Sequence, residues 1–267
     1  MHLSSIDDIS RNYRNIYLQP HFDDAVLSCG GTLALQHAMG IHTLVITVFG
    51  GLPRDNVLSP FAAQIQQQTG LGTDPCAAVE RRREEDTAAL GSLGADTLWL
   101  DYLDAIYRGT PPYYSSEESL FGGVHSGDLN IDEQLSGTLA KIHERAPLAT
   151  VYAPLGIGHH VDHQLSCSAA DRLAQQKIPV KFYEDFPYVL RPGALVARQK
   201  ELGISMEPEL VEVSGSMRAK EEAIAMYGSQ VPRLFQTEDR MRQALREYSS
   251  SLRRAYPGIM VERFWRW

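Results

Sequence analysis

Apolar residues along this chain switch repeatedly between the strand period and the helix period. Asn15 to Gln19 (NIYLQ) is a short strand-type run that stops at Pro20, and apolar positions then recur at helical spacing from Ala25 to Met39. Gly40 closes that helix, and Ile41 to Phe49 (IHTLVITVF) is rich in β-branched residues, as a strand buried on both faces requires. After an irregular stretch from Gly50 to Pro75, the pair Asp74-Pro75 marks a helix start, with a helix over Ala77 to Leu93 ended by Gly94. Thr97 to Leu100 is the next strand. A second irregular stretch, Asp104 to Asn130, precedes a helix over Asp132 to Arg145. Thr150 to Ala153 then reads as a strand, Val161 to Gln175 as a helix, Val180 to Tyr183 as a strand and Arg218 to Tyr227 as a helix. Strands alternating with helices predict an α/β fold with a doubly wound, mostly parallel sheet, helices on both faces and right-handed crossovers. The two long loops belong to the ligand-binding end, because such segments are more often functional than idle.

That topology gives a rule for finding chemistry, since ligands bind beyond the carboxyl ends of the strands. Two segments satisfy it. Pro20-His21-Phe22-Asp23-Asp24 follows the first strand and leads into Gly30-Gly31, placing an imidazole and two carboxylates within four residues. Either aspartate alone would read as a helix cap, but the adjacent histidine shifts the balance toward an ion site. After the strand at Thr150 to Ala153, a glycine-rich loop carries His159, His160, Asp162 and His163 to the start of another helix. His21 with Asp24, and His160 with His163, share a three-residue spacing that lets both members of a pair face one ion.

Combined, the segments give His21, Asp24 and His163 as three protein ligands with at least one position left for water, the pattern of a catalytic rather than a closed structural zinc site. Asp162 then orients a ligand imidazole. Asp23 takes the proton of the activated water as general base, and His160, expected to be useful as a cation, stabilises the oxyanion. This set describes amide or ester hydrolysis. His159 is spaced wrongly for the ion. The same two-histidine, one-carboxylate set also suits ferrous iron and oxygen chemistry, where Asp23 and His160 have fewer roles.

Composition narrows the field further. With 267 residues, 43% hydrophobic and 22% charged, the chain is globular rather than disordered, collagen-like or coiled coil. Its 25 basic against 33 acidic side chains give a net charge of −8, which argues against a general nucleic-acid partner. Arg81, Arg82 and Arg83 form the tightest basic cluster, but Glu84, Glu85 and Asp86 follow at once, so the run reads as a solvated helix face for most of its members. Cys29, Cys76 and Cys167 are too few and scattered for a disulfide framework, and a reducing cytoplasm is expected. The first residues, with Asp7, Asp8, Arg11 and Arg14, lack the layout of a signal peptide, and no apolar run approaches the ~20 residues of a membrane span.

Pro-His-Phe-Asp-Asp with Gly30-Gly31, and His160-Val-Asp162-His163 downstream, resemble the LmbE-like or PIG-L family of zinc-dependent de-N-acetylases. Arg82 with Glu85, and Lys220, Ala223, Ser229 and Gln230 in KEEAIAMYGSQ, extend the likeness from about Asn15 to Gln230. The resemblance implies a Rossmann-like single domain over residues 1–267, its last part, 231–267, being a C-terminal extension. It implies removal of an N-acetyl group from an N-acetylglucosamine-type sugar or glycoconjugate. It also implies one zinc per chain on His21, Asp24 and His163, Asp23 as base, His160 at the oxyanion and Arg82 near the substrate. Other divalent metals such as ferrous iron are compatible with the set. Two positions depart from the family pattern: Phe22 replaces a proline, and Tyr227 stands where many members carry histidine, altering a pocket contact. Asp104 binds a sugar hydroxyl or sits in a surface turn; Tyr113, Tyr114 and Phe121 wall the cleft or pack their own loop. The expected partner is a small amino-sugar substrate, with no membrane insertion and homo-oligomerisation open. Rival readings are an amidase of a thiol-sugar conjugate and a non-catalytic sugar- or nucleotide-binding module.

Overall fold

The computed structural model describes residues 1–9, 13–54, 57–253, 256 and 258–267. Arg11, and residues 55 and 56 of the first long loop, lie outside them. In chain order the elements are β1 (His2–Leu3), β2 (Asn15–Gln19), α1 (Asp24–Ala38), β3 (Thr43–Thr47), α2 (Pro60–Gln68), α3 (Pro75–Ser92), β4 (Asp96–Trp99), α4 (Glu117–Leu120), α5 (Ile131–Arg145), β5 (Thr150–Pro154), α6 (Val161–Gln175), β6 (Val180–Tyr183), α7 (Ala194–Leu202), β7 (Glu207–Glu212), α8 (Met217–Ile224), α9 (Val231–Phe235), α10 (Glu238–Ser251) and β8 (Val261–Arg266).

The strands form one eight-stranded sheet in the order β1-β4-β3-β2-β5-β6-β8-β7, parallel from β1 through β6, with β8 antiparallel to both neighbours. β2 and β3 are buried at every position because helices cover both faces. Right-handed crossovers put α1 and α3 on one face, where both pack on α8, and α5 and α6 together on the other. The chain leaves β2 in one direction, through β3 to β4, and returns to β5 on the opposite side. The crevice beyond the carboxyl ends of β2 and β5 is therefore the topological switch point, where a doubly wound sheet presents its binding site.

Beyond the short elements β1, α4, α7 and β7, which the sequence reading does not contain, three features differ from it. The first long loop contains α2, whose start was marked by Ser59 as N-cap and Pro60 in the first turn. The basic-acidic run on α3 is not mainly solvated: Glu85 and Asp86 are buried and Arg82 turns inward, leaving Arg81 and Glu84 outside. Residues 231–267 supply α9, α10 and β8, and β8 pairs with both β6 and β7, so this segment is integral to the sheet.

β8 also grips α1. Glu262 accepts the backbone N–H of Gly31 at 2.9 Å and of Thr32 at 2.8 Å, while Lys220 donates to Glu262 at 2.7 Å and to the Ser28 carbonyl at 3.2 Å. A buried ion pair is thus set into the hydrogen-bond ladder of the helix that opens at Asp24. A Cβ on Gly31 would lie 2.8 Å from Val213 Cβ, so only glycine permits this approach.

Candidate active site

β2 ends at Gln19, and the chain turns through residues 20–23 into α1. Asp23 is the N-cap by position, yet its side chain makes no cap bond, and its backbone is held at φ 130°, a region L-residues rarely enter. Strain of this kind costs roughly 1–3 kcal/mol and gathers at functional sites. Asp24 does not cap the helix in the usual sense either: its Oδ2 accepts the backbone N–H of His21 at 2.8 Å, turning back toward the cleft. On the other side of the switch point, loop 155–160 delivers His160 as N-cap of α6. Gly158 in that loop has φ +93°, and any Cβ there would strike Tyr188.

The two segments meet. Asp24 Oδ2 lies 3.6 Å from His21 Nδ1 and 3.4 Å from His163 Nε2. Each histidine is held from behind by a carboxylate: His21 Nε2 is 2.9 Å from Asp162 Oδ2, and His163 Nδ1 is 2.6 Å from Asp185 Oδ1. With His21 Nε2 and His163 Nδ1 held by these carboxylates, His21 Nδ1 and His163 Nε2, both directed at Asp24, are the nitrogens that can give a lone pair to an ion once the proton favoured by Asp24 has left. His163 Nε2 is buried without a hydrogen-bond partner among the described residues. Three electron-pair donors converging in a buried place suit a divalent cation, and the carboxylate-histidine pairing behind them is what ligand imidazoles usually have.

The three imidazoles of His21, His160 and His163 also offer nitrogens within 4.8 Å of one another, as do His21, Asp104 and Asp162. Asp24 is the better third donor, because its Oδ2 is close to both lone-pair nitrogens, whereas Asp162 is already engaged at the protonated edge of His21. The titration behaviour agrees with a cation site. Burial opposes charging of His21, but Asp104, Asp162 and Asp24 together push it up to about 10; burial likewise opposes His163, and Asp24 and Asp185 raise it. Burial works against the charge on Asp24, yet His163 and His21 hold it below the usual carboxylate range.

Asp23 and His160 differ in kind. Burial pushes Asp23 up to about 7, opposed by Arg82 and reinforced by Asp24. Arg82 Nη2 is 3.5 Å from Asp23 Oδ1 and donates to the Phe22 carbonyl at 2.8 Å, so it props the strained turn from the cleft side. His160 was expected to serve as a cation, but burial and the neighbouring His21 push its pKa down, and it is neutral. Its Nδ1 accepts the backbone N–H of Asp162 at 3.2 Å, which leaves the proton on Nε2 as a donor.

His21, Asp23, Asp24, Arg82 and His160 line a cleft of about 740 Å³, with His163 buried behind them. Asp104 lines it while also capping the turn Ala105–Tyr107, and its Oδ2 sits 3.8 Å from His21 Nε2 and 3.9 Å from Arg82. Phe121 is on the wall, whereas Tyr114 is buried with its hydroxyl on Asp128 and Tyr113 stacks on His125 within the loop. His159 pairs with Glu201 at the surface. Tyr227 is a correction: it is 1% exposed, does not line the cleft, and donates to Asp86 at 2.8 Å beneath the site. The family's histidine position therefore lies in a buried network here, with Asp86 also receiving Gln19. Sequence reasoning overlooked Asp185, although it follows β6 and the strand-end rule would have found it. Arg108, in ionic contact with Asp162 Oδ1 at 2.6 Å, carried no local signal.

Comparison with known proteins matches residues 16–174 to the family model described as "PIG-L: GlcNAc-PI de-N-acetylase". A 2'-N-acetylparomamine deacetylase of Niallia circulans is 36% identical over 187 residues, covering 65% of this chain and 66% of that protein, slightly under two thirds of its length. A 2'-N-acetylparomamine deacetylase of Streptomyces fradiae is 31% identical over 230 residues, covering 82% of this chain and 74% of its own. Among solved structures, the zinc-inhibited form of a teicoplanin deacetylase superposes with a TM-score of 0.81 at 27% identity, covering 94% of this chain and 97% of that one. These relatives and this neighbour are deacetylases, and among the described residues no helix is long and apolar enough to cross a membrane. The chain belongs to the PIG-L, or LmbE-like, family of de-N-acetylases.

Proposed function

We propose that this protein is a divalent-metal hydrolase that removes the N-acetyl group from an amino sugar of the N-acetylglucosamine type, carried in a larger conjugate, giving free amine and acetate. The observation that carries this reading is the convergence of His21 Nδ1 and His163 Nε2 on Asp24 Oδ2, with Asp23, buried and strained in its backbone, beside them in the lining of a cleft. His21, Asp24 and His163 would hold the ion, zinc being the first candidate. When bound, such an ion lowers the pKa of a coordinated water and polarises the amide carbonyl.

The chain's own groups have complementary tasks. Asp23, ionised above about pH 7, receives the proton of the attacking water and returns it to the leaving amine. Neutral His160 donates from Nε2 to the oxygen on which negative charge develops. Asp162 and Asp185 fix the ring orientations of His21 and His163. Arg82 holds the Asp23 turn and balances its charge.

The cleft volume exceeds what one acetylated hexose needs, and Glu117 and Glu118 add exposed carboxylates to its lining. The room favours a conjugate over a single hexose, and the acidic lining groups Asp23, Asp24, Asp104, Glu117 and Glu118 outnumber Arg82, Arg191 and Arg233, which favours a substrate of the paromamine type with cationic amines. The test is amine release from N-acetylglucosamine, 2'-N-acetylparomamine and a larger conjugate carrying an N-acetylglucosaminyl group, with the protein loaded in turn with zinc, cobalt, manganese or ferrous iron. Asp23→Ala should lose at least 100-fold in rate. Full activity in that variant would remove Asp23 as the base, and no amine release from any substrate with any metal would overturn the hydrolase reading.

A further inference from the structure

Arg108 is a buried cation that the chemistry above does not use. It follows the turn Ala105–Tyr107, is 7% exposed and does not line the cleft. Its Nε donates to Asp128 Oδ2 at 2.9 Å, its Nη1 to the Leu103 carbonyl at 2.8 Å, and its Nη2 lies 2.6 Å from Asp162 Oδ1, off the line of an ideal hydrogen bond. The guanidinium also sits over the rings of Phe49 at 5.0 Å and Tyr114 at 5.4 Å. Asp128 in turn accepts the Tyr114 hydroxyl at 2.8 Å, and that hydroxyl accepts the N–H of His125 at 2.9 Å. One side chain thus ties the second long loop, near both its ends, to Asp162.

Asp162 passes the connection on. It is fully buried, and its Oδ2 accepts from Ala105 N at 3.0 Å and from His21 Nε2 at 2.9 Å. An ionised carboxylate in that place needs a compensating charge, and a guanidinium fixes a carboxylate's plane better than a point charge does. We infer that Arg108 is a positioning residue for the metal centre, acting through Asp162 on His21, and that the order of loop 104–130 is thermodynamically coupled to cation binding at His21, Asp24 and His163. The inference rests on reading those three residues as the cation site. Its consequence is functional, because the same loop carries Ile106, Tyr107, Glu118 and Phe121 to the cleft wall. Coupling is reciprocal: whatever the loop contributes to ion affinity, the ion returns to the loop.

The experiment uses the full chain, as parent, Arg108→Met and Arg108→Lys, and two readouts independent of activity. Zinc and cobalt affinities are measured by competition with a chromophoric chelator, and amide exchange across residues 104–130 is followed with and without each ion. Arg108→Met should bind the ions about 10- to 100-fold more weakly, with Arg108→Lys recovering part of the loss. In the parent, the ion should slow exchange at Ala105 and His125 while leaving β7 unchanged. A folded Arg108→Met with parental affinity overturns the inference, as does a parent whose loop exchange ignores the bound ion. The parent's exchange decides the matter even where Arg108→Met does not fold. A parent that binds neither ion overturns the cation-site reading together with this one, whereas ion binding without coupling overturns only the role of Arg108.

Discussion

Replacing Asp185 with asparagine removes the charge behind His163 while leaving size and shape nearly unchanged. In the parent, Asp185 Oδ1 is 2.6 Å from His163 Nδ1 and Oδ2 accepts the N–H of Ile157 at 2.8 Å; both side chains are about 1% exposed. Asparagine can satisfy only one of these donors with its single carbonyl oxygen. The other then meets an NH2 group, a buried mismatch worth about 1–3 kcal/mol. Where the carbonyl goes to Ile157, the imidazole loses the partner that keeps a proton on Nδ1, and Nε2, the atom that must be bare to hold an ion, becomes the site of the neutral ring's proton. Loss of such a partner typically costs 10- to 100-fold in metal affinity, or about 1.4–2.7 kcal/mol. Chelator competition with zinc reads the affinity, and thermal unfolding without metal separates it from general destabilisation. Asp185→Asn should show a lower midpoint without metal and a smaller upward shift on metal addition. Parental zinc affinity in a folded Asp185→Asn would refute the assignment of His163 Nε2 as the ligand atom.

Three further outcomes follow from the same geometry. With Asp23 pushed up to about 7 chiefly by burial, its basic form prevails only above that pH, so kcat/KM for deacetylation should climb through about pH 7; a profile flat from pH 5.5 to 8.5 would refute this. Asp86 is also pushed up to about 7 by burial, so the folded state keeps a proton that the unfolded chain releases near 3.8, and the stability this supplies is complete below 3.8 and lost as pH rises through 7. Asp86→Asn should therefore gain on the parent between pH 4 and pH 8, by up to about 4 kcal/mol in urea unfolding, and parallel stability curves would contradict it. Around the cation site Asp23, Asp24, Asp104, Asp162 and Asp185 outnumber Arg82 and Arg108, and His21 and His163 are raised in consequence, so zinc binding near neutral pH should release protons. Calorimetry in buffers of different ionisation enthalpy measures this, and a heat independent of buffer would count against it.

What was legible in the sequence is local. His21, Asp23 and Asp24, and His160, Asp162 and His163, stand close together immediately after strands, where the strand-end rule singles them out without knowledge of the fold. Arg82 was reached through a family pattern, although its charged neighbours suggested an outer helix face. Arg108 and Asp128 carried no such sign, because their meaning lies in contacts with residues 20 to 54 positions away that no spacing encodes. Tyr227 went the other way: a family position suggested a pocket contact, but the phenol reaches Asp86 inside the protein. β7 was missed because, with Glu207, Glu209 and Glu212 on an exposed edge, it lacks the apolar run of the parallel strands. Such charges belong on an edge, where they discourage pairing with other chains.

The two ligand segments flank the point where the sheet reverses direction, so their relative placement depends on how firmly α1 and α6 are held against it. α6 is held by its own sheet strands and by α5. α1 carries Asp24 on its first turn and packs on β2 and β3, and it is held in addition by residues beyond the matched residues 16–174: Lys220 from α8 and Glu262 from β8, which share the carbonyl of Ser28 and the amides of Gly31 and Thr32. The C-terminal segment thereby does more than close the sheet. A change in its pairing would be felt two turns along α1 from Asp24 and Asp23, where a shift of well under an ångström is enough to misalign a ligand and a base. The matched region contains every proposed ligand, while part of the precision with which they meet is supplied by the rest of the chain.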